Sequence, residues 1–244
     1  MVGTDAGMQA GLVVLLGRRF GVDVAGTASE GLGRLGVAPP RLVVLASRLP
    51  DLDSAHFLRA LRARLPACPV IVVTDGEERE NLRELLTLRV EGLLQKPPYF
   101  ESLLEQISRL TDDGGGPAGG LRFSRYVNRV LDHVSLQYAV PGSHTELAEA
   151  VGLSASHLAY VFRRETGMTL KEYSTKVRIE VARQLLARTE AKLDVIAQQI
   201  GFCDACHFCR VFRRHVGCSP GLYRLRLRSP SLRSAPAAAS ARTS

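Results

Sequence analysis

Leu147-Ala148-Glu149-Ala150-Val151-Gly152-Leu153 returns 49 residues later as Ile196-Ala197-Gln198-Gln199-Ile200-Gly201-Phe202. One residue is then inserted, and at an offset of 50 Ser154 matches Asp204, Leu158 matches Phe208 and Val161–Arg164 matches Val211–Arg214. Gly167 with Gly217 and Tyr173 with Tyr223 complete the correspondence. A repeat of this kind means that one supersecondary unit is built twice. Each copy reads as a helix-turn-helix. A Leu-Ala or Ile-Ala pair packs the leading helix, with Ala small enough to admit the second helix. A Gly then permits the positive φ of the turn. Ser154 or Asp204 follows as N-cap, its side-chain oxygen meeting orphan amides. Gly167 and Gly217 stand where second helices end. Ser143-His-Thr-Glu146 has the pattern of a capping box at the start of the first unit.

Counted from each cap, the fourth, seventh and eighth positions are apolar in both units: Leu158, Val161 and Phe162, then Phe208, Val211 and Phe212. These face the core. The opposite face holds Ala155, Ser156, Ala159 and Tyr160 in the first unit, and Ala205, Cys206, Cys209 and Arg210 in the second. Between the units Val177, Val181 and Leu185, with Ala182 and Leu186, describe one long helix that holds the modules at a fixed separation. Two recognition helices on such a spacer enter successive major-groove turns, roughly 34 Å apart on one face of a duplex.

The charge supports a polyanionic partner. The chain of 244 residues carries a net charge of +8, but residues 1 to 111 are neutral, with 13 Lys/Arg and 13 Asp/Glu. Residues 121 to 244 hold 19 Lys/Arg against 9 Asp/Glu. That asymmetry favours nucleic acid over a membrane surface. The length suits two domains of roughly 100 to 150 residues. Asp112-Asp113-Gly-Gly-Gly-Pro117-Ala-Gly-Gly120 reads as a flexible linker. Residues 229 to 244, rich in Ser, Pro, Ala and Arg, read as a disordered tail. No run approaches the roughly 18 apolar residues of a membrane helix, and Met1 to Ala10 lack the layout of a secretory signal. Five cysteines, four of them clustered, do not make a disulfide framework, so a reducing, cytoplasmic setting is expected.

Ahead of the linker, Val22–Ala25, Leu42–Leu45, Val70–Val73 and Gly92–Gln95 are expected as strands. Helices are expected at about 8 to 19, 29 to 36, 54 to 64, 77 to 88 and 99 to 110. This alternation implies a parallel sheet covered on both faces. Behind the linker the pattern is all-α.

Residues 121 to 228 resemble the DNA-binding domain of AraC/XylS-type transcriptional regulators. The resemblance is carried by Glu146–Ala148, Leu153-Ser154, Phe162–Gly167, Arg178, Ala182, Leu185-Leu186, Ile196-Ala197, Gly201-Phe202, Phe208, Phe212 and Gly217-x-Ser219-Pro220-x-x-Tyr223-Arg224. It implies base contacts from Ser156, Ala159, Tyr160, Ala205, Cys206, Cys209 and Arg210. Arg163, Arg164, Arg213 and Arg214, with Ser154, suit phosphate contact. The alanines offer only apolar contact, whereas Arg210 can make a bidentate contact to guanine; its alternative is a solvated place near phosphates. Tyr160 suits either the groove or the rim of the first unit's core.

Residues 8 to 111 resemble the receiver domain of two-component response regulators, a flavodoxin-like α/β fold. The matching residues are Ala10–Val13, Leu42–Asp53, Val70–Thr74 and Leu94–Pro97. That family holds a magnesium ion and accepts a phosphoryl group through three acids. Here the acceptor position is Ala46, and the acidic pair falls on Gly3 and Thr4, leaving Asp5 nearby. Thr74 and Lys96 match the switch hydroxyl and the lysine and read as remnants. The implied unit is a pseudo-receiver not regulated by aspartyl phosphorylation at the usual site. Its first strand is expected to be short or missing, completed by residues upstream of Met1 or replaced by a rearranged sheet.

The expected whole is an α/β flavodoxin-like receiver-type domain over 1–111, a linker over 112–120, an all-α domain with two helix-turn-helix motifs over 121–228, and a tail. The expected function is sequence-specific transcription regulation on an operator of double-stranded DNA, as an activator or a repressor. RNA polymerase and a second copy of the chain are its expected protein partners, and no metal or cofactor is required. One alternative is a metal- or redox-sensing regulator using Cys203, Cys206, Cys209 and Cys218. Another is a protein-interaction module whose helical half stores basic charge. No catalytic arrangement appears, so an enzyme is not expected.

Overall fold

The β-branched runs of the N-terminal half become a parallel sheet, because each is short, apolar and separated from the next by a helix. A computed structural model describes residues 1–2, 5–17, 20–36, 39–74, 84–85, 87–95, 100–111, 123–140 and 144–228. In chain order the first half contains α1 (Ala6–Leu16), α2 (Ala28–Leu35), β1 (Val43–Ala46), α3 (Ser54–Arg64), β2 (Val70–Thr74), β3 (Gly92–Gln95) and α4 (Phe100–Thr111). β1 pairs with β2 and β2 with β3, all parallel, in a register that sets Val43 beside Val70 and Ile71 beside Gly92. The linker 112–120, the tail 229–244, Ser143 of the expected capping box and residues 77–83 and 86 of the expected helix 77–88 lie outside the described residues.

One strand expectation is corrected. Val22–Ala25 forms no strand; only Ala25 is bridged, to Val2. The first strand is present as a rudiment. The Val2 amide donates to the Val44 carbonyl at 2.9 Å, and the Ala46 amide donates to the Val2 carbonyl at 2.9 Å. On the other side the Ala25 amide donates to the Met1 carbonyl at 2.8 Å. Two residues hold the central position because neighbours on both sides use their backbone groups. The spatial order is thus Ala25, Val2, β1, β2, β3, the doubly wound order of flavodoxin-like sheets. Helix α1 begins at Ala6, two residues earlier than the pattern suggested, because the Asp5 carboxylate accepts from the Gly7 and Met8 amides and caps it there.

Alternating side chains divide the sheet between two cores. Val43, Leu45, Val70 and Val72 pack with Ala28, Phe57, Leu58 and Leu61 on the α2/α3 side. Val44, Ile71 and Val73 face α1 and α4, where Met8, Leu12, Leu104 and Ile107 are buried.

The second half is all-helical: α5 (Arg125–Leu136), α6 (His144–Ala150), α7 (Ala155–Thr166), α8 (Leu170–Arg188), α9 (Leu193–Gln199), α10 (Ala205–Val216) and α11 (Pro220–Arg228). The long helix expected between the units is α8, with Val177, Val181, Ala182 and Leu186 buried and Leu185 half-buried. Its start is a full capping box, Thr169 with Glu172, which holds the Glu172 carboxyl below its usual range. The Thr169-x-x-Glu172 spacing is itself a capping-box signature.

The two halves share one apolar core. Helix α1 has no charged residue, and such a helix needs cover around its whole circumference. One side of it meets the sheet; the other meets α5 and α8.

Candidate nucleic-acid interface

Local chemistry builds each unit in the same way. Gly152 and Gly201 turn the chain at φ 74° and 77°. The Ser154 hydroxyl then accepts from the His157 amide at 3.2 Å, and the Asp204 carboxylate from the His207 amide at 2.6 Å. Gly167 and Gly217 close the helices in the left-handed region, their amides donating to the carbonyls of Arg163 and Arg213. Leu158, Val161, Phe162, Phe208 and Phe212 are buried as the count from the caps required. Val211 is only half-buried.

On the outward side Ser156, Ala159, Cys206 and Arg210 are exposed. Tyr160 is 62% exposed, with the Arg164 guanidinium 5.5 Å above its ring, so it belongs to the outer face rather than to the core rim. Ala205 and Cys209 are half-buried and lean on the core. The face of α10 is thereby narrower than the count implied. Burial, and then the neighbouring Cys206, push the Cys209 thiol up, so it is neutral at pH 7.

Arg163, Arg164, Arg213 and Arg214 are all exposed toward the C-terminal ends of α7 and α10. Arg164 also lies 3.5 Å from the Glu165 carboxylate. His215 sits among cations: its burial first, then Lys176 and Arg214, hold its pKa below the usual histidine value. These charges form a field suited to phosphates.

Three groups behind this surface had no role in the sequence reading. Arg178 of α8 donates from Nε to the Tyr138 carbonyl at 2.7 Å, from Nη1 to the Gly201 carbonyl at 3.2 Å and from Nη2 to the Val140 carbonyl at 3.3 Å. Arg183 reaches the Tyr223 hydroxyl at 3.1 Å and pairs with Glu180 at 2.8 Å. Asp132 caps α4 across the two halves. Arg178 stood in the family pattern, but nothing local in sequence named its three carbonyls.

In the receiver-like half Ala46 is fully buried at the end of β1 and Thr74 is buried at the end of β2. Gly3, Thr4 and Lys96 lie outside the described residues. Among the described residues three carboxylates at this end of the sheet are engaged with helix N-termini. Asp5 caps α1 and Asp53 caps α3. Asp51 accepts from the Ala28 and Ser29 amides of α2 at 2.8 and 2.9 Å, which holds its carboxyl down at about 2.

Among the described residues no group of three His, Cys, Asp or Glu side chains is placed to hold a metal ion; Cys218 is buried, whereas Cys203 and Cys206 are exposed. No described helix is long and apolar enough to cross a membrane.

The profile of a response regulator receiver domain matches residues 2–108, and that of a helix-turn-helix domain matches residues 147–226. The chain joins a receiver domain to an AraC-type helix-turn-helix domain. The HTH-type transcriptional regulator YpdC of Escherichia coli is 31% identical over 62% of this chain and 53% of its own length. The HTH-type transcriptional activator RhaR of Klebsiella pneumoniae is 36% identical over 61% of this chain and 48% of its own. The chain therefore spans about half the length of these curated relatives. The C-terminal domain of AraT, a response regulator from Geobacillus stearothermophilus, is 28% identical over 43% of this chain and 87% of its own, with a TM-score of 0.42.

Proposed function

We propose that this protein is a sequence-specific DNA-binding transcription regulator. The observation that carries the reading is the duplicated unit: two capped helices, each behind a positive-φ glycine and each with an exposed arginine-bearing face, packed on one connecting helix. One chain then addresses two successive major-groove turns. Of the expected base-contacting residues, Ser156, Ala159, Tyr160, Cys206 and Arg210 meet base edges, with the half-buried Ala205 and Cys209 behind them, and Ser154, Arg163, Arg164, Arg213 and Arg214 meet phosphates. Arg210 reads guanine.

The receiver half works without an aspartyl phosphate at the usual position, since the Ala46 side chain has no oxygen to accept one. Contact with RNA polymerase and self-association belong to the same reading; sedimentation with and without operator DNA tests the latter.

Selection of bound duplexes from a random library, with the full chain, tests the function. Two short conserved blocks about one helical turn apart are expected. Arg210→Ala relaxes one base position, at a cost of about 1 to 3 kcal/mol. Arg213→Ala weakens all duplexes alike and lowers the salt slope by about 1. A library that emerges unenriched rejects the function.

A further inference from the structure

Helix α1 is pressed against the DNA-binding half at two glycines. A Cβ on Gly7 would lie 1.9 Å from the Ser135 carbonyl and 2.7 and 2.9 Å from ring carbons of Tyr138. A Cβ on Gly11 would lie 2.6 to 2.8 Å from Phe100, the Ser135 hydroxyl and the Tyr173 hydroxyl. Only backbone fits, so these positions set how closely α1 approaches α5 and α8. Beside this contact the halves are also hydrogen-bonded through α4, because the Asp132 carboxylate of α5 accepts from the Phe100 amide at 2.8 Å, at the start of α4.

Past the end of α5 the same segment turns to the second helix-turn-helix. Tyr138 touches α1 at Gly7, while the carbonyls of Tyr138 and Val140 are held by Arg178. The third bond from that guanidinium goes to Gly201, in the turn ahead of α10. Gly201 itself is packed: a Cβ there would lie 2.1 Å from the Ala139 carbonyl. The corresponding Gly152 of the first unit has nothing within 4 Å of the same position. Residues 138 to 140 are thus wedged between α1 and the second turn, and the first turn has no such wedge.

We infer that α1 is the coupling element between the halves, and that the state of the receiver reaches the second helix-turn-helix, and not the first, through Tyr138–Val140 and Arg178. The inference rests on the DNA-binding reading above for its consequence at the operator. The receiver need not cover a recognition helix to act. It sets the firmness of one turn, and with it the aim of α10, by how tightly Gly7 and Gly11 are seated. Asp5 caps α1 three residues after Val2, whose carbonyl accepts from the Ala46 amide, so the coupling element starts at the end of the sheet where β1 stops.

The test uses the full chain and Gly7→Leu, compared by amide hydrogen exchange. The amides of 201–204 are expected to exchange about tenfold faster in the variant, and those of 151–154 at the unchanged rate. Equal acceleration of both turns, or none at the second while α1 loses protection, overturns the inference. A second measurement does not depend on the variant folding: a protease site is inserted into 114–120 of the otherwise native chain and cut. The halves are expected to co-elute in size exclusion; separate elution overturns the inference. At the operator, Gly7→Leu lowers affinity through the second half-site about tenfold and leaves the first unchanged. If the native chain selects no duplex, the DNA-binding reading fails, and the exchange and co-elution results still decide the coupling.

Discussion

The two helix-turn-helix units have the same cap, turn and stop, yet they differ in how they are held. The first turn stands clear at Gly152, whereas the second is packed on Ala139 and bonded to Arg178. Their cores differ too. Phe162 meets one ring, that of Tyr173 at 5.7 Å. Phe212 lies between Phe208 and Tyr223, at 5.6 and 5.5 Å, and Phe208 also meets Phe202. A duplicated sequence thus yields one unit with freedom at its entry and one locked into its surroundings. Repetition specifies the unit; the surroundings specify its stiffness.

Substitution at matched positions sharpens or breaks this contrast. The largest effects belong to the cores: Phe212→Ala and Phe162→Ala each cost about 3 to 5 kcal/mol in chemical denaturation, Phe212 the more, because edge-to-face ring contacts are lost with the buried area. Equal losses would remove the claimed difference. Next come the turns. Gly152→Ala costs about 1 to 2 kcal/mol, since only the left-handed backbone resists it. Gly201→Ala costs roughly 1 to 3 kcal/mol more, because its Cβ meets a carbonyl. Ser154→Ala and Asp204→Ala should each cost about 1 kcal/mol, measured by the same denaturation, and here the two units should agree.

The smallest effect is electrostatic. His215 has a folded pKa below its unfolded value, so its contribution is present above about pH 6.5 and is lost as pH falls through the folded pKa. Melting temperatures at pH 7.5 and 5.5 should differ less in His215→Gln than in the native chain. An unchanged difference would mean that Lys176 and Arg214 do not press on this ring.

Much of the DNA-facing surface was legible from the caps. Once Ser154 and Asp204 are placed, helical periodicity decides that Phe162 and Phe212 go in and that Ser156 and Arg210 stay out. Ala205 and Cys209 escaped this reasoning because a count of positions carries no information on how far a neighbouring element covers a small side chain. Tyr160 suits two places for the same reason, and its exposure, with the Arg164 guanidinium over its ring, puts it on the outer face. In the receiver half the exchange of acid for Ala46 was plain in the sequence. The engagement of Asp5, Asp51 and Asp53 at three helix starts was not, since Asp51 serves a helix 22 residues away from it.

By itself the amino-acid sequence determined whatever depends on a few neighbouring residues: the glycine turns, the caps, the repeat and the all-round apolar character of α1. Those follow from backbone sterics and from hydrogen bonds within a single turn. The tertiary structure alone decided what covers α1. Burial of apolar surface has no direction, and the choice of α5 and α8 arises only where Gly7 and Gly11 let the backbone meet Ser135, Tyr138 and Tyr173. The same holds for Val2, which becomes a central strand only because Ala25 and β1 are brought to its two sides.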